Sequence, residues 1–376
     1  GIDISMVEQV YAMGGQYYND EGQAESVYRI LKDHGVNYVR IRLWNDPFNH
    51  VGDELVPYGG GICDIETVLP MARHAKAAGM KLLLDYHFSD FWADPGKQVM
   101  PKDWADLPSS ADVAMAINEY VQTTLTSLQQ VDALPDMVQL GNETTNGMFT
   151  SYPGGTNTSL TGDNPYYISQ RSSISSSISA PNGSANLHLY MSAALDAVNT
   201  IDPDILTMIH IAKGMTGIDF IKNYYHQFDD LDYDIIGLSG YSYYHFQNGL
   251  TTLQNCLNAV SSEFPAKKIT IAETAYGFTY APHAWASNIF SRSGGQALSG
   301  YDVSVQGQAN LIRDIIAAVA SLSNGYGVFY WEGAWLPLKG AGWADANSKC
   351  SWANQTFFTY DGATLPSLDL FTQIKG

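Results

Sequence analysis

Short runs of apolar residues recur along the chain, and segments with helical periodicity separate them. Each run is rich in β-branched or aromatic residues and leads into polar or charged residues. This pattern predicts strands that are buried on both faces, as in a parallel sheet. Eight such strands are predicted, at residues 1–5, 36–44, 80–87, 137–143, 205–211, 233–241, 268–273 and 327–332.

The segments between these strands carry apolar residues at the three- and four-residue spacing of amphipathic helices. Helices are predicted at residues 21–34, 65–78, 111–130, 187–200, 217–227, 250–264, 306–322 and 367–374. Strands that alternate with helices in this way predict an α/β fold, a (β/α)8 or TIM barrel, as a single domain over residues 1–376 with long βα loops. A doubly wound open sheet is the alternative, but no glycine-rich phosphate-binding motif follows any predicted strand.

Residues 151–184 interrupt this alternation, because they are rich in Ser, Thr, Gly, Asn and Pro and show no clear periodicity. The segment is too long for an ordinary connection, so we expect an elaborated βα loop beside the functional site. A disordered linker is the alternative. Tyrosines and isoleucines such as Tyr152 and Ile174 argue against full disorder, since disordered segments are poor in such residues.

Charge and composition narrow the choice of partner. The formal net charge of −19 argues against nucleic acid, because binding to nucleic acid needs Lys and Arg to neutralise phosphates. No apolar window is long enough for a membrane span. Aromatic residues make up 12% of the chain, and several stand near predicted strand ends, where sugar-binding sites use the faces of such rings.

Three cysteines, Cys63, Cys256 and Cys350, are widely spaced and form neither a metal motif nor a disulfide framework. A bridge from Cys63 or Cys256 to Cys350 remains open for a secreted protein. Buried free thiols are the other interpretation.

Two glutamates, Glu143 and Glu273, each close a predicted strand at the end where parallel barrels place their chemistry. A retaining glycosidase uses two such carboxyl groups, one to protonate the leaving oxygen and the other to attack the anomeric carbon. Asn142, directly before Glu143, can donate a hydrogen bond to a substrate hydroxyl. For either glutamate alone, a structural ion pair with Arg40 or Arg42 is the competing interpretation.

Other polar residues are candidates to support this pair. Arg40 and Arg42 alternate onto the same side of their strand and need carboxylate partners, since unpaired buried charge is costly. The residues expected to support a negatively charged nucleophile are Arg40, Arg42, His87, His210 and Tyr243. Asp85 and His87 either line the substrate site or complete the charge network around the arginines. A metal site that combines these two residues with His210 and Glu273 lacks a recognisable ligand spacing, so we predict no metal and no cofactor.

Tryptophans near strand ends are candidates for sugar stacking. Trp92, Trp331 and Trp335 all lie at or after a predicted strand end. We therefore favour stacking on a sugar over core packing at these three positions.

Several motifs distributed over nearly the whole chain resemble those of one family. They are GIDIS at 1–5, VRIRLWNDP at 39–47, DYHFSD at 85–90, WADP at 92–95, GNE at 141–143, ETAY at 273–276, VQGQ at 305–308 and FYWE at 329–332. With these motifs the chain resembles the endo-β-1,4-galactanases of glycoside hydrolase family 53, which belong to a large clan of retaining glycosidases built on this barrel. The single domain would then be a glycoside hydrolase catalytic domain.

The resemblance implies that Glu143 is the acid/base, that Glu273 is the nucleophile, and that Arg40 and His87 surround the site. It also implies an endo-acting enzyme that cleaves β-1,4-galactan, a side chain of pectin. We expect a monomer that acts outside the cell or at its surface. Because residues 1–5 are typical of a strand and not of a signal peptide, we also expect that any leader has been removed.

Two features depart from the family pattern. Thr144 and Thr145 replace a usual aliphatic residue, and residues 151–184 form a longer, more serine-rich segment than expected. Bacterial relatives often hold calcium in the loop after strand seven, but residues 280–288 contain no acidic residue, so we do not carry that site over. Two alternatives to a galactanase remain: a clan enzyme for another β-linked polysaccharide, such as β-mannan or β-glucan, and a non-catalytic carbohydrate-binding barrel.

Overall fold

Eight parallel strands close into a barrel in the computed structural model, which describes residues 1–153, 167–345 and 347–374. The strands are β1 Ile2–Asp3, β2 Tyr38–Leu43, β3 Lys81–Tyr86, β4 Met137–Leu140, β5 Leu206–Ile211, β6 Ile235–Ser239, β7 Lys268–Thr274 and β8 Gly325–Tyr330. They follow one another around the barrel in chain order, and β8 pairs with β1 to close it. The predicted (β/α)8 barrel is confirmed, and the open sheet is excluded.

Helices connect the strands, as the periodicity predicts. They are α1 Val7–Ala12, α2 Val27–Asp33, α3 Ile65–Ala77, α4 Ser110–Gln130, α5 Gly183–Ile201, α6 Ile218–His226, α7 Leu250–Glu263, α8 Val305–Ala320 and α9 Leu370–Gln373. Three of them begin after a side chain that accepts a backbone N–H of the first turn, which satisfies a donor that the helix leaves free. These capping residues are Asp64, Ser109 and Ser304.

One predicted helix begins later than expected. The periodicity predicts a helix from residue 21, but α2 starts at Val27. The residues before it form a small antiparallel hairpin in which Ala24–Glu25 pairs with Tyr17–Tyr18. The prediction of residues 21–26 was therefore wrong, because tertiary pairing of a short strand outweighs weak helical spacing.

Apolar side chains fill the N-terminal half of the barrel interior. Seven of them form a separate buried cluster: Tyr38, Leu83, Met137, Met208, Ile235, Ala272 and Phe329. Two residues farther along four of these strands, and so also pointing into the barrel, are polar side chains that are likewise buried: Arg40, Asp85, Gln139 and His210. The barrel therefore has an apolar floor below a polar layer, and the C-terminal strand ends lie above both.

The elaborated loop follows β4, so it lies on the side of the barrel where the strands end. Ser151–Pro153 and Tyr167–Ser169 pair as an antiparallel hairpin, and residues 154–166 of the predicted loop lie outside the described residues. Beyond the hairpin, Ile174 is fully buried, and its carbonyl accepts a hydrogen bond from the Tyr190 hydroxyl at 2.6 Å. Ile174 therefore anchors this part of the segment in the core, while neighbours such as Ile178, 51% exposed, face solvent.

The three cysteines are buried with free thiols, so the structure favours the second interpretation of them. Burial raises the pKa of the Cys256 thiol to about 12. Among the described residues, no helix combines the length and apolar character needed to cross a membrane.

Candidate active site

Glu143 and Glu273 meet at the C-terminal end of the barrel. Glu273 is in β7, and Glu143 follows β4 after Gly141 has turned the backbone with a φ of 82°. Glu143 itself has a φ of 49°, a conformation that costs a non-glycine residue free energy and that clusters at functional sites. Carboxylate oxygens of the two glutamates lie within 4.8 Å of each other. The predicted pair of strand-end carboxyl groups is therefore brought together.

Arg40 is the cation at the centre of the polar layer. Its guanidinium is 2.8 Å from oxygens of Asp3, Asp85 and Glu273, and only 1% of its side chain is exposed. A buried guanidinium is stable only when such partners satisfy it, and three carboxylates leave its surroundings net negative. Arg40 does pair with Glu273, as the structural interpretation holds, but Glu273 also lines the cleft above. The ion pair and a role at the site are compatible.

The two glutamates have different hydrogen-bond partners. The Tyr241 hydroxyl donates to Glu273 at 2.9 Å, and Arg40 contacts the other oxygen of that carboxyl group. The Ser239 hydroxyl donates to Glu143, which has no cation in direct contact among the described residues. Donors and a cation favour the charged form of Glu273.

These surroundings separate the two protonation equilibria. Burial raises the pKa of Glu143 well above its ordinary value, and the charge of Glu273 raises it further. Burial also raises the pKa of Glu273, but Arg40 opposes that rise. When two carboxyl groups lie this close, one proton is shared by the pair. Only Glu273 is in direct contact with Arg40, so Glu273 is the more acidic of the two and the shared proton belongs on Glu143.

Substituting Glu273 should therefore change the titration of Glu143. In Glu273→Gln the pKa of Glu143 is expected to fall, because the nearby negative charge is removed, while staying above its ordinary value because burial remains. Carbon-13 NMR of the Glu143 carboxyl group across a pH series measures the change. Asp94→Asn is the matched control and should give a smaller fall, since Asp94 contributes less to the shift. An unchanged Glu143 pKa in Glu273→Gln would contradict the coupling.

Asp85 and His87 belong to one network. His87 Nδ1 accepts hydrogen bonds from the Trp44 indole N–H at 3.1 Å and the Ala93 backbone N–H at 3.2 Å. Its Nε2, 3.0 Å from Asp85, therefore carries the proton in the neutral ring. Asp85 is fully buried and contacts Arg40, whereas the His87 ring lines the cleft. Of the two predicted interpretations, the charge network describes Asp85 and the site lining describes His87.

Asn142 and His210 are the neighbours of Glu143 below the cleft, and the Glu143 backbone N–H donates to His210 Nδ1 at 3.4 Å. The Asn142 oxygen accepts from Arg40 at 3.0 Å, and its amide nitrogen donates one proton to Ala93 O at 2.8 Å. The second amide proton has no partner among the described residues, and Asn142 lines the cleft, as a donor to a substrate hydroxyl requires. His210 is fully buried, and burial lowers its pKa well below the ordinary value, so the ring is neutral. It supports the site from below and does not line the cleft.

The walls of the cleft are aromatic. A cleft of about 380 Å³ lies above the two glutamates, and its aromatic lining comprises His87, Trp92, Tyr241, Tyr244, His245, Trp331, Trp343 and Trp352. Trp92 is 6% exposed and Trp331 7%, so most of each ring is packed and only a part is open to a ligand. Trp335 is fully buried behind them, so the prediction that it stacks on a sugar was wrong: its ring lies parallel to Trp343 at 5.7 Å.

Arg42 and Tyr243 do not line the cleft, although both were predicted to support the site. Arg42 is buried against Glu332 and the Gly60 carbonyl oxygen, with Trp92 4.2 Å from its guanidinium carbon. The Tyr243 hydroxyl donates to Gln355 at 2.8 Å. Arg42 is away from the cleft because its charge is paired with Glu332. Tyr243 is away from it because Tyr241, and not Tyr243, donates the hydrogen bond to Glu273.

The Arg42 to Glu332 pair supports the fold under the cleft. In Arg42→Met, Glu332 stays buried without its cation, and the free energy of unfolding is expected to fall by about 3–5 kcal/mol. The intact pair already has a Glu332 pKa raised to about 7, mainly by burial, and losing Arg42 raises that pKa further. A carboxyl group with a raised folded-state pKa destabilises the protein progressively as the pH rises from its unfolded to its folded pKa, and no further above that. The parent therefore stops losing stability at about pH 7, whereas the variant, with its higher Glu332 pKa, continues to lose it, so the difference between them should grow as the pH rises above about 7. Urea unfolding at several pH values measures it.

The exposed Arg29 to Asp33 pair provides the control for this prediction. These side chains are 64% and 49% exposed, so water screens their interaction. Arg29→Met should leave the unfolding midpoint unchanged within error. Equal effects of the two substitutions would contradict a special cost for the buried pair.

Sequence reasoning missed several residues that the structure brings to the site. They are Ser239, Tyr241, Trp343 and Trp352, together with Gln139 in the layer below. Tyr241 could have been found from the sequence, because it ends a predicted strand and lies on the same side of that strand as Tyr243. Trp343 and Trp352 lie in the long segment after β8, where only their residue type was a signal.

One group of residues in the site has the composition of a metal site. Ligand atoms of Glu143, His210 and Glu273 all lie within 4.8 Å of one another. The Arg40 guanidinium at 2.8 Å from Glu273 already neutralises that carboxylate and would repel a second cation. We therefore assign no metal to this group, which differs from the combination considered from the sequence.

Comparisons with known proteins give the following similarities. A profile of the family described as Glycosyl hydrolase family 53 matches residues 1–371. The endo-beta-1,4-galactanase of Bacillus subtilis (strain 168) is 33% identical over 402 residues, which cover 99% of this chain and 84% of that protein. The arabinogalactan endo-beta-1,4-galactanase of Cellvibrio japonicus (strain Ueda107) is 30% identical, over 92% of this chain and 85% of that protein. The solved GH53 catalytic domain of Ignisphaera aggregans superposes with a TM-score of 0.86 at 35% identity, covering 100% of this chain and 96% of that domain.

Proposed function

Because the chain belongs to glycosyl hydrolase family 53, we propose that it is an endo-acting β-1,4-galactanase that cleaves galactan with retention of anomeric configuration. The observation that carries the mechanism is the Glu143 to Glu273 pair, with oxygens within 4.8 Å and unlike surroundings. This spacing favours retention, since retaining glycosidases hold their carboxyl groups about 5–5.5 Å apart and inverting ones about 6.5–9.5 Å.

The first step forms a covalent intermediate. The Glu273 carboxylate attacks the anomeric carbon and forms an ester bond, while the glycosidic C–O bond breaks. Glu143 gives its proton to the departing oxygen, which leaves as the alcohol of the shortened chain. The raised pKa of Glu143 suits this role, because the group must still hold its proton near neutral pH.

The second step releases the other half of the chain. Glu143, now a carboxylate, takes a proton from a water molecule, and the oxygen of that water attacks the anomeric carbon. The ester bond breaks and Glu273 regains its charge. Arg40 and the Tyr241 hydroxyl stabilise that charge, which makes Glu273 a competent leaving group. Two inversions at one carbon give net retention.

The chemistry of the cleft fits a neutral polysaccharide. Aromatic rings line the walls, and the free amide proton of Asn142 points to hydroxyl recognition. The net charge of −19 disfavours a polyanion and does not oppose an uncharged chain. The names of the relatives from Bacillus subtilis and Cellvibrio japonicus both specify endo-beta-1,4-galactanase.

The setting follows from the substrate. Galactan side chains of pectin are polymers that cannot cross a membrane, so we propose that the enzyme acts outside the cell or at its surface. We further propose that it acts as a monomer, because a single chain already supplies the carboxyl pair, its cation Arg40 and the aromatic walls of the cleft. Activity in cell-free medium and a molar mass from light scattering test these two points.

A time course of products on a polysaccharide panel tests the proposed activity. Purified protein is incubated with unbranched β-1,4-galactan, β-mannan, xylan and a soluble cellulose derivative, and the products are separated by chromatography. Early formation of mixed galacto-oligosaccharides from galactan alone is expected of an endo-acting galactanase. Turnover of another polymer with none on galactan would overturn the substrate but leave the carboxyl pair in place. Binding to galactan without any turnover would indicate a carbohydrate-binding barrel.

A further inference from the structure

A second cluster of potential ligands lies outside the cleft, where three segments distant in sequence meet. Asp20 belongs to the turn of the hairpin before α2, His34 directly follows α2, and Asp369 ends the turn that leads into α9. Ligand atoms of the three residues all lie within 4.8 Å of one another. The cluster shares no residue with the catalytic cleft, so it is independent of the proposed function.

The hydrogen bonds of His34 determine what its second nitrogen can do. Nδ1 is 2.8 Å from the Ile30 carbonyl oxygen, which only accepts, so Nδ1 carries a proton. Nε2 faces two further acceptors, Asp20 Oδ2 at 3.2 Å and Asp369 Oδ1 at 3.4 Å. The His34 side chain is 8% exposed. In the neutral ring, Nε2 therefore presents a lone pair to two carboxylates, whose side chains are 60% and 53% exposed, with no donor proton between them.

The spacing of these atoms around Nε2 fits a metal ion. Ligands about 2.0–2.1 Å from a tetrahedral zinc ion lie about 3.3 Å from each other. The two distances from Nε2 are 3.2 and 3.4 Å, and the ligand oxygens of Asp20 and Asp369 lie within 4.8 Å of each other. Metal-binding histidines also commonly donate their other ring N–H to a backbone carbonyl, as His34 does to Ile30.

We propose that Asp20, His34 and Asp369 bind a divalent transition-metal ion of the Zn²⁺ class, with water as the fourth ligand. One imidazole and two carboxylates suit such an ion. Ca²⁺ takes six to eight oxygen ligands and Mg²⁺ keeps a shell of water, so neither fits this set. Among the residues that the structure describes, no lysine or arginine forms an ion pair with Asp20 or Asp369, so no side-chain cation competes for the place.

A bound ion would join the segment before α9 to the hairpin formed by Tyr17–Tyr18 and Ala24–Glu25. Asp369 precedes α9, and Asp20 lies beside the strand Tyr17–Tyr18, whose second residue bridges to Ala363. Because the metal binds the folded arrangement of three distant segments, it stabilises that arrangement by mass action. The site is therefore structural and is not expected to take part in turnover.

Zinc titration of the chelator-treated protein tests the proposal. It is performed by calorimetry in a Glu143→Gln background, so that the group in the cleft no longer offers three ligands. One equivalent of Zn²⁺ should bind saturably, and the melting temperature should rise by about 3 °C at roughly 100 times the dissociation constant. Ca²⁺ and Mg²⁺ should give neither effect. Co²⁺ in place of Zn²⁺ should give the strong visible absorption of a tetrahedral site.

Conservative variants distinguish this cluster from adventitious binding. Asp20→Asn and Asp369→Asn should each weaken Zn²⁺ binding by at least about 10-fold, because a neutral amide is a much poorer ligand than a carboxylate. Glu21→Gln, at an exposed neighbour outside the cluster, should bind as the parent does. Saturable binding that is equal in all three variants, or no saturable binding in the parent, would overturn the proposal.

Discussion

Glu273→Ala is expected to abolish turnover of galactan, with kcat reduced by on the order of 10⁵-fold or more, as for other enzymes that lose a covalent nucleophile. Asp3 and Asp85, which share Arg40 with Glu273, are fully buried beneath the cleft and cannot take over its role as nucleophile. Arg40 keeps Asp3 and Asp85 as partners, so no buried charge is left unpaired and the protein should fold. Initial rates on galactan and an unfolding curve measured on the same sample separate catalysis from stability.

Adding azide to Glu273→Ala gives a more specific test, because the configuration of the product identifies the missing nucleophile. Truncation to alanine leaves space beside the anomeric carbon, and azide can enter it and attack an activated aryl β-galactoside. One displacement replaces two, so the product is expected to be the α-galactosyl azide. Glu21→Ala, at an exposed position, should keep full activity and give no azide product. A β-galactosyl azide from Glu273→Ala would contradict the assignment of Glu273 as nucleophile.

Glu143→Ala is expected to show a different dependence on the leaving group. On galactan, kcat/KM should fall by about 10²–10⁴-fold, the usual contribution of a general acid. On an aryl β-galactoside with a good leaving group, the first step needs no acid and should proceed at a nearly normal rate. The second step lacks its base, so the galactosyl-enzyme should accumulate and be seen as a burst of released phenol.

Azide also distinguishes this variant from the previous one. With Glu273 intact, azide attacks the covalent intermediate from the face that water would use, and the product is expected to be the β-galactosyl azide. The ratio of kcat/KM on the aryl galactoside to that on galactan gives the quantitative test. Equal losses on both substrates would contradict the role of Glu143 as the acid.

The architecture was accessible from sequence because its signals are local and repeated. Eight buried strands alternate with helices, and the structure places a barrel strand in every predicted run. The periodicity was less reliable for short strands, whose formation depends on pairing with another segment of the chain. The hairpin of Tyr17–Tyr18 with Ala24–Glu25 contains only four strand residues, and neither segment carries enough alternation to predict it.

The glutamates were accessible for the same reason, whereas their partners were not. A carboxylate that ends a buried strand stands out in a sequence with few charges. The choice between Tyr241 and Tyr243 depends on where β6 leaves the barrel, and alternation gives both the same side. The role of Arg42 could not be predicted, because its ion pair with Glu332 joins two distant strands and no spacing in the sequence shows it.

The aromatic lining shows a third limit. Trp335 and Trp343 both follow β8, yet the first is fully buried and the second is partly exposed at the cleft. Residue type indicates that a tryptophan contributes a large apolar surface, but the loop geometry decides whether that surface meets the core or a ligand. The proposed metal cluster is a similar case, because Asp20, His34 and Asp369 have no recognisable ligand spacing along the chain.

The most direct test of the central claim is the anomeric form of the first product from β-1,4-galactan. Proton NMR spectra recorded from the start of hydrolysis report the new reducing ends before mutarotation mixes the two anomers. Double displacement through Glu273 predicts that the β-anomer appears first and that the α-anomer grows in later. Initial release of the α-anomer would contradict the retaining mechanism, and the absence of any new reducing end would contradict galactan as the substrate.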